Sequence, residues 1–375
     1  MHYRQCRLRC QQRIAAANGR RYSFLNLRTA FPACDFGVEA SLRLYNQRSG
    51  AGSADSWRVS MELLVTGAFS GAKQHIRELE EKGHRVHFLQ YEKDELPCPP
   101  DQIEGVICNG LFLFHTIESF TRLRFIQLTS AGYDRVPMDY VKANGIQIYN
   151  ARGVYSIPMA EAAVAGVLNL YRKMYVFREN QKRHVWEKQR DLPEIYGKTV
   201  CVFGCGSVGS ECAKRFAAFG ARVVGVDAAA SDRTHCAETD GNDAGHISRS
   251  KFPWYEDVFT PEKAECLLSE SDIVICTLPL TESTRHYFGA ERFGHMQPGA
   301  VFVNISRGGT VDTAALAYAL VGGGLGGAVL DVFEEEPLGA ESPLWDMENV
   351  IITPHNSFVG EGNEERLWRV IRDNL

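Results

Sequence analysis

Apolar and polar positions alternate between two periods along most of this chain. From Met61 onward, short apolar runs of strand type are separated by stretches whose apolar residues recur at helical spacing. Residues 63–65, 85–89, 105–108, 125–128 and 146–149 read as strands. Residues 72–82, closed by Gly83, and 138–143, closed by Asn144 and Gly145, read as helices. Residues 159–177, after Pro158, read as one long helix that is apolar over much of its circumference and so predicted to be buried. Further strands are predicted at 200–203, 223–226, 273–276, 300–304, 328–332 and 350–352. Helices are predicted over 210–219, 264–268, 313–320 and from about residue 364. Strands alternating with helices predict an α/β fold of two doubly wound parallel-sheet domains.

One stretch organises the rest. The run 200–203 leads straight into Gly204, Gly206 and Gly209, in the spacing G-x-G-x-x-G. About three turns of helix formers follow, closed by Gly220, and the second strand ends in Asp227. This is a complete βαβ unit, the context that turns three glycines into a dinucleotide fingerprint. Gly204 permits the tight turn, Gly206 lets a pyrophosphate approach the backbone, and Gly209 lets the helix pack close to the strand. The helix N-terminus offers free N–H groups and partial positive charge. Asp227 lies 21 residues past Gly206, where it accepts hydrogen bonds from the adenosine ribose and repels a 2′-phosphate. The reading is therefore NAD rather than NADP, with Arg233 keeping NADP as the minority reading. The crossover between domains is placed just before residue 159. Residues 158–356 then form the NAD-binding Rossmann domain, and residues 61–157 plus 357–375 the substrate domain.

Composition changes this picture at one end only. The net charge is −5, which provides no broad basic field for nucleic acid, and no apolar run is long enough to span a bilayer. Residues 1–60 hold ten arginines, no lysine and three acids (Asp35, Glu39, Asp55). They lack a sustained period and include a Ser/Gly/Ala linker at 49–56, so they read as a disordered extension. A targeting segment or an upstream translation artefact fits them too. The 11 cysteines form no C-x-x-C pair and no zinc spacing, and several sit in apolar runs. The expectation is free thiols in a reducing, cytoplasmic compartment and no metal.

Three segments after predicted strands carry chemistry: Ile305-Ser306-Arg307-Gly308-Gly309, Asp331 through Glu336-Pro337, and Thr353-Pro354-His355. In a doubly wound sheet such loops share the carboxyl edge, where ligands bind. They can bring a cation, a carboxylate and an imidazole beside the nicotinamide. That set suits hydride transfer to a 2-oxo acid. Arg307 would fork onto the substrate carboxylate and polarise the carbonyl. His355 would protonate the carbonyl oxygen. Glu336 would hold the other ring nitrogen, fixing the tautomer and favouring the charged form. Taken singly, each is an ordinary loop residue; their joint position downstream of the fingerprint makes the case.

From Met61 to the end, the chain resembles the D-2-hydroxyacid dehydrogenase family, the NAD-dependent D-isomer-specific enzymes. The likeness includes Ser130-Ala131-Gly132-Tyr133-Asp134, Gly145-Ile146, Ala160-Glu161, Ser271-Asp272, Leu278-Pro279-Leu280-Thr281 and the three strand-end segments. It decides against a methyltransferase, which also uses a glycine-rich loop. The resemblance implies Arg307, Glu336 and His355 as the catalytic set. It implies Ala131 and Gly132, with Arg307, as the substrate-carboxylate site. Ser207 and Val208 match the pyrophosphate contact, and Asp331 matches the residue that holds the nicotinamide carboxamide. Thr277, Pro279, Ile305, Arg307 and His355 are assigned to the cofactor with them. The family further implies a homodimer and a cleft that closes between domains. Tyr133 stands where a smaller apolar residue is common, which implies an altered pocket. Two alternatives remain beside the reductase. One is a non-catalytic NAD(H)-sensing scaffold of the co-repressor kind. The other is a formate dehydrogenase, which Glu rather than Gln at position 336 disfavours.

Overall fold

A computed structural model of the chain describes residues 60–230 and 252–375. The Arg-rich extension up to residue 59, Arg233 and most of the polar segment 228–250 lie outside the described residues. The first half builds a sheet from β1 (Glu62–Thr66), β2 (Arg85–Leu89), β3 (Gly105–Cys108), β4 (Phe125–Leu128) and β5 (Gln147–Tyr149). Helix α1 (Ala72–Glu81) connects β1 to β2, and α2 (Met138–Ala143) connects β4 to β5. The order is β2-β1-β3-β4-β5, with every pairing parallel.

Two helices follow, α3 (Ser156–Tyr171) and α4 (Met174–Lys182). The predicted helix over 159–177 is therefore corrected in two places. It starts earlier, with Pro158 inside the first turn, where a missing N–H costs nothing because that turn has no intrahelical acceptors. It also breaks at Lys173, whose φ of 48° is left-handed and cannot continue a helix.

The second sheet comprises β6 (Thr199–Phe203), β7 (Arg222–Val226), β8 (Asp257–Phe259), β9 (Ile273–Cys276), β10 (Ala300–Asn304), β11 (Leu325–Leu330) and β12 (Val350–Ile352). Its helices are α5 (Ser207–Ala218), α6 (Ala264–Glu270), α7 (Ala290–His295) and α8 (Thr313–Val321). The chain ends in α9 (Asn363–Asn374). The order is β12-β11-β10-β9-β6-β7-β8, again all parallel. Succession reverses between β6 and β9, and the crevice outside such a reversal is where a doubly wound sheet takes its ligand. The strand predicted at 328–332 runs from Leu325 instead, because Gly326 and Gly327 hide its first half from a hydrophobic pattern. Asp331 and Val332 are thereby released into the loop. β8 and α7 carry too few apolar residues to announce themselves and were not anticipated.

Both sheets are buried on both faces, which is why their strands read as continuous apolar runs. In the second sheet, Phe203, Phe288 and Phe302 pack together on one face. On the other, Ala160, Ala163 and Val167 of α3 meet Cys212, Ala213 and Phe216 of α5. The final helix returns to the first sheet. Leu367, Trp368 and Ile371 join Met61, Leu63 and Val65 in one cluster. Trp368 Nε1 donates to Glu78 Oε2 over 2.8 Å, and Asn374 Nδ2 donates to Gln127 Oε1 over 2.8 Å.

Candidate active site

The turn after β6 has the geometry that its residues dictate. Gly204 sits at φ 91°, a conformation that an L side chain rarely adopts. A Cβ on Gly209 would stand 2.0 Å from the Gly204 carbonyl oxygen, so α5 can approach β6 only because that atom is missing. A Cβ on Gly206 would meet nothing within 4 Å, so the turn is open where a phosphate must enter. Ser207 and Val208 form the first turn of α5 directly behind this opening. These residues fit a dinucleotide pyrophosphate.

Asp227, at the end of β7, closes the turn from the side. Its Oδ2 accepts the Cys205 N–H at 2.8 Å and its Oδ1 accepts the Ala229 N–H at 2.8 Å. Thr277, at the end of β9, ties the two strands of the crevice together. Its hydroxyl donates to the carbonyls of Gly204 (2.6 Å) and Phe203 (3.1 Å). Pro279 lies exposed on the following loop, where its carbonyl accepts the Thr284 hydroxyl at 2.6 Å. Ile305 differs from the others. Its side chain belongs to the core beneath the sheet, which leaves only its backbone for contact with a ligand.

At the ends of β10, β11 and β12 the three chemistry-bearing segments meet. Arg307 is held at both ends. Its carbonyl accepts the Thr310 hydroxyl at 2.7 Å, and its Nη1 donates to the Ser306 carbonyl at 2.9 Å. The next residue, Gly308, lies so close to the neighbouring loop that a Cβ there would stand 1.8 Å from the Phe333 carbonyl oxygen. Glu336 accepts the Phe333 N–H at 3.0 Å through one oxygen and pairs with His355 Nδ1 at 2.8 Å through the other. A carboxylate only accepts, so Nδ1 carries a proton. Among the described residues, no hydrogen bond uses His355 Nε2.

The imidazole stands on an uncommon backbone. His355 has φ 50°, held by its N–H donating to the carbonyl oxygens of Asp331 (2.8 Å) and Thr353 (3.0 Å). Asp331 itself is 2 % exposed. Its carboxylate accepts from Thr353 Oγ1 (2.5 Å), Asn356 N (2.8 Å), Ser357 N (3.1 Å) and Ser357 Oγ (2.5 Å). It therefore braces the whole His355 loop from below, an engagement the sequence did not suggest. Phe358 meets the His355 ring edge-on at 6.0 Å and the Tyr155 ring at 5.9 Å. The Tyr155 hydroxyl in turn donates to the Thr129 carbonyl. Burial pushes the Tyr155 phenol up, so it stays a neutral donor.

The first sheet brings its own loop to this place. Arg307 Nη2 lies 3.2 Å from where a Cβ on Gly132 would stand. Ala131 and Gly132 are braced through their carbonyls, by Asn150 Nδ2 (2.7 Å) and by Ser130 Oγ (3.3 Å). Among the described residues, no hydrogen bond uses the N–H of either. Two backbone donors and a guanidinium thus share one corner, a set that suits a carboxylate, with Asp134 Oδ1 also at hand, 2.2 Å from the same Gly132 position. Tyr133, half-exposed beside it, has its phenol raised by burial, partly offset by the Arg152 charge.

Sequence reasoning missed His286. This residue follows β9, and its Nε2 pairs with Glu334 Oε1 at 2.6 Å. Glu334 Oε2 also accepts the Thr313 N–H at 2.9 Å. Burial alone would raise the Glu334 carboxyl, but the hydrogen bonds from Thr313 and His286 outweigh it and hold it below its ordinary range. The partners are far apart in sequence, and no local pattern marks His286.

A dinucleotide cradle at the switch point of one sheet, facing a carboxylate corner supplied by another, defines a nicotinamide-dependent oxidoreductase. Comparison with known proteins places it more closely. Residues 164–357 match the family model "D-isomer specific 2-hydroxyacid dehydrogenase, NAD binding domain". The chain is 32 % identical to a glyoxylate reductase of Korarchaeum cryptofilum over 80 % of its own length and 90 % of the relative's. It is 33 % identical to a hydroxypyruvate reductase of Thermotoga maritima, over 74 % and 85 % of the two chains. A D-isomer specific 2-hydroxyacid dehydrogenase of Xanthobacter autotrophicus, solved in complex with NADPH and MES, superposes with a TM-score of 0.62. Its identity is 26 %, covering 84 % of this chain and 96 % of that one. The chain belongs to the D-isomer specific 2-hydroxyacid dehydrogenase family. It is an NAD-dependent oxidoreductase of CH–OH groups, as its fingerprint and strand-end residues led us to expect.

Proposed function

We propose that this enzyme reduces a small 2-oxo acid to the D-2-hydroxy acid with NADH. The substrate carboxylate is held by the N–H groups of Ala131 and Gly132 and by Arg307. NADH supplies the hydride. His355, as the doubly protonated imidazolium, gives its Nε2 proton to the carbonyl oxygen and is left neutral with its remaining proton on Nδ1, while Glu336 accepts from Nδ1–H, orients the ring and steadies its charge. The observation that carries the reading is the pairing of Glu336 with Nδ1, which commits the near nitrogen and leaves the far one for chemistry. The relatives' substrates, glyoxylate and hydroxypyruvate, are small, and they are the first acids to try here. A formed Glu336–His355 pair gives no support to a non-catalytic scaffold.

The direct test follows NADH oxidation against a panel of 2-oxo acids, with formate and NAD as the counter-test. Turnover on one or two members identifies the substrate. Silence across the panel with NADH still bound removes the reductase reading. Cofactor preference rests on Asp227. In an Asp227→Ala variant the ratio of kcat/KM with NADH to that with NADPH should fall by roughly tenfold or more, the worth of one hydrogen-bonded charge. An unchanged ratio would remove Asp227 from cofactor choice.

The same proposal assigns residues 61–157 plus 357–375 to the substrate domain and 158–356 to the NAD-binding domain. Support comes from α9, whose apolar face packs with β1, and from α3, which packs with α5. It includes a homodimer, because Trp186 and Tyr196, between α4 and β6, are 96 % and 77 % exposed. Sedimentation equilibrium giving a monomer at micromolar concentration would exclude that. A reducing cytoplasmic location is in keeping with free thiols at Cys98, Cys108, Cys201, Cys205, Cys212 and Cys276. No described helix is long and apolar enough to cross a membrane. Fractionation of cells that produce the protein checks the location.

A further inference from the structure

Arg152 takes no part in the roles given so far. It lies just past β5, and its backbone is fixed by Asn150. The Asn150 Oδ1 accepts the Arg152 N–H at 3.2 Å, while Asn150 Nδ2 donates to the Ala131 carbonyl at 2.7 Å. Arg152 therefore starts from the loop that presents the two carboxylate-binding N–H groups. From there its side chain crosses to the other sheet, where Nε donates to Ser207 Oγ over 3.2 Å. Ser207 is the first residue of α5, directly after the open position at Gly206. A cation carried by the first sheet thus stands at the helix end that already offers N–H groups and partial positive charge. Ionisable groups around this point include Tyr133, which feels the Arg152 charge, and Asp227, whose Oδ2 is held by the Cys205 N–H.

We propose that Arg152 binds the pyrophosphate of the dinucleotide from across the cleft, as an anchor supplied by the sheet that lacks the fingerprint. The proposal rests on reading the turn 204–209 as the pyrophosphate cradle. The chemistry is that of a guanidinium facing a phosphate, where planar N–H groups and a permanent charge match the anion. Ser207 Oγ, now an acceptor for Arg152, turns to donate to a phosphate oxygen once the anion lies between them. Because Arg152 is braced to the Ala131 loop, a bound pyrophosphate also draws the substrate-carboxylate corner toward the cofactor.

The test is binding by calorimetry on the full-length chain, with ADP and adenosine as probes. Arg152→Ala should weaken ADP binding on the order of ten- to hundredfold, the range for a charge-assisted hydrogen bond, and leave adenosine binding unchanged. Arg152→Lys should recover part of the loss, because the charge returns without the planar fork. Equal ADP affinity in wild type and Arg152→Ala overturns the proposal. So does an equal loss for ADP and adenosine, which would mean a general disturbance of the site. A raised KM for the 2-oxo acid with ADP affinity intact assigns the guanidinium to the substrate and overturns it as well. A wild-type chain that fails to bind ADP refutes the cradle reading itself, whereas the other outcomes touch only Arg152.

Discussion

Two histidine–glutamate pairs hang from one acidic turn, and they are held differently. Glu334 pairs with His286 at 2.6 Å and Glu336 pairs with His355 at 2.8 Å. Residue types, distances and partial exposure are nearly the same. The difference lies in the nitrogen and in the second oxygen. His286 commits its far nitrogen, Nε2, so the tip of the ring is tied into the protein. His355 commits its near nitrogen, Nδ1, and among the described residues no hydrogen bond uses the tip of its ring. The other oxygen of Glu334 receives the Thr313 N–H at the start of α8, which links the loops after β9, β10 and β11. The other oxygen of Glu336 receives the Phe333 N–H of its own turn. A His–Glu contact by itself therefore says nothing of catalysis.

The strongest way to break this comparison is to remove each imidazole in turn. His355→Ala should cost on the order of 10²–10⁴ in turnover with NADH affinity retained, the usual share of a general acid. His286→Ala should leave turnover within about tenfold of wild type, in line with a positioning role. Steady-state rates and NADH titration on both variants decide it, and equal losses would erase the distinction. A smaller effect is expected from Glu336→Gln, which keeps the shape of the contact and removes its charge. Turnover should fall by roughly ten- to hundredfold with KM little changed, because the carboxylate assists mainly when the ring carries charge in the transition state. A loss confined to KM would move Glu336 from the proton-transfer step to substrate binding.

The smallest effect concerns acid stability. The Glu334 carboxyl is held below its ordinary range, so its contribution to stability is present at neutral pH and is lost as pH falls through its folded value. Glu334→Gln should remove that contribution, lowering stability near neutral pH by at most about 1 kcal/mol for so exposed a pair. Once pH has fallen below the depressed folded value, the two proteins should melt alike. Melting temperature against pH checks this, and parallel curves for the two proteins would deny Glu334 any share in the acid response.

What could be read in advance followed the range of the interactions. The βαβ unit from β6 to β7 was legible because its cause is local: three glycines, a helix and an acid at fixed spacing. The strands were legible where burial on both faces makes them apolar throughout, and less so at β11, where glycines interrupt the pattern. The break at Lys173 depends on how α3 and α4 pack, and nothing in the apolar run 159–177 announces it. His286 was invisible because its partner is 48 residues away. Asp331 was legible as a residue of the site, but its four donors all come from the loop after β12.

By itself the sequence determined the two parallel sheets and the dinucleotide turn, because burial patterns and glycine spacing act over a few residues, and its motifs carried the resemblance to the family. It also put Arg307, Glu336 and His355 forward as candidates. Only the tertiary structure decided which nitrogen of which histidine is held, which carboxylate braces the His355 loop, and that Arg152 reaches Ser207 from the other sheet. Each of these depends on where strand ends far apart in the chain are brought together. A difference of one ångström, or of one ring nitrogen, leaves no mark on the order of the residues.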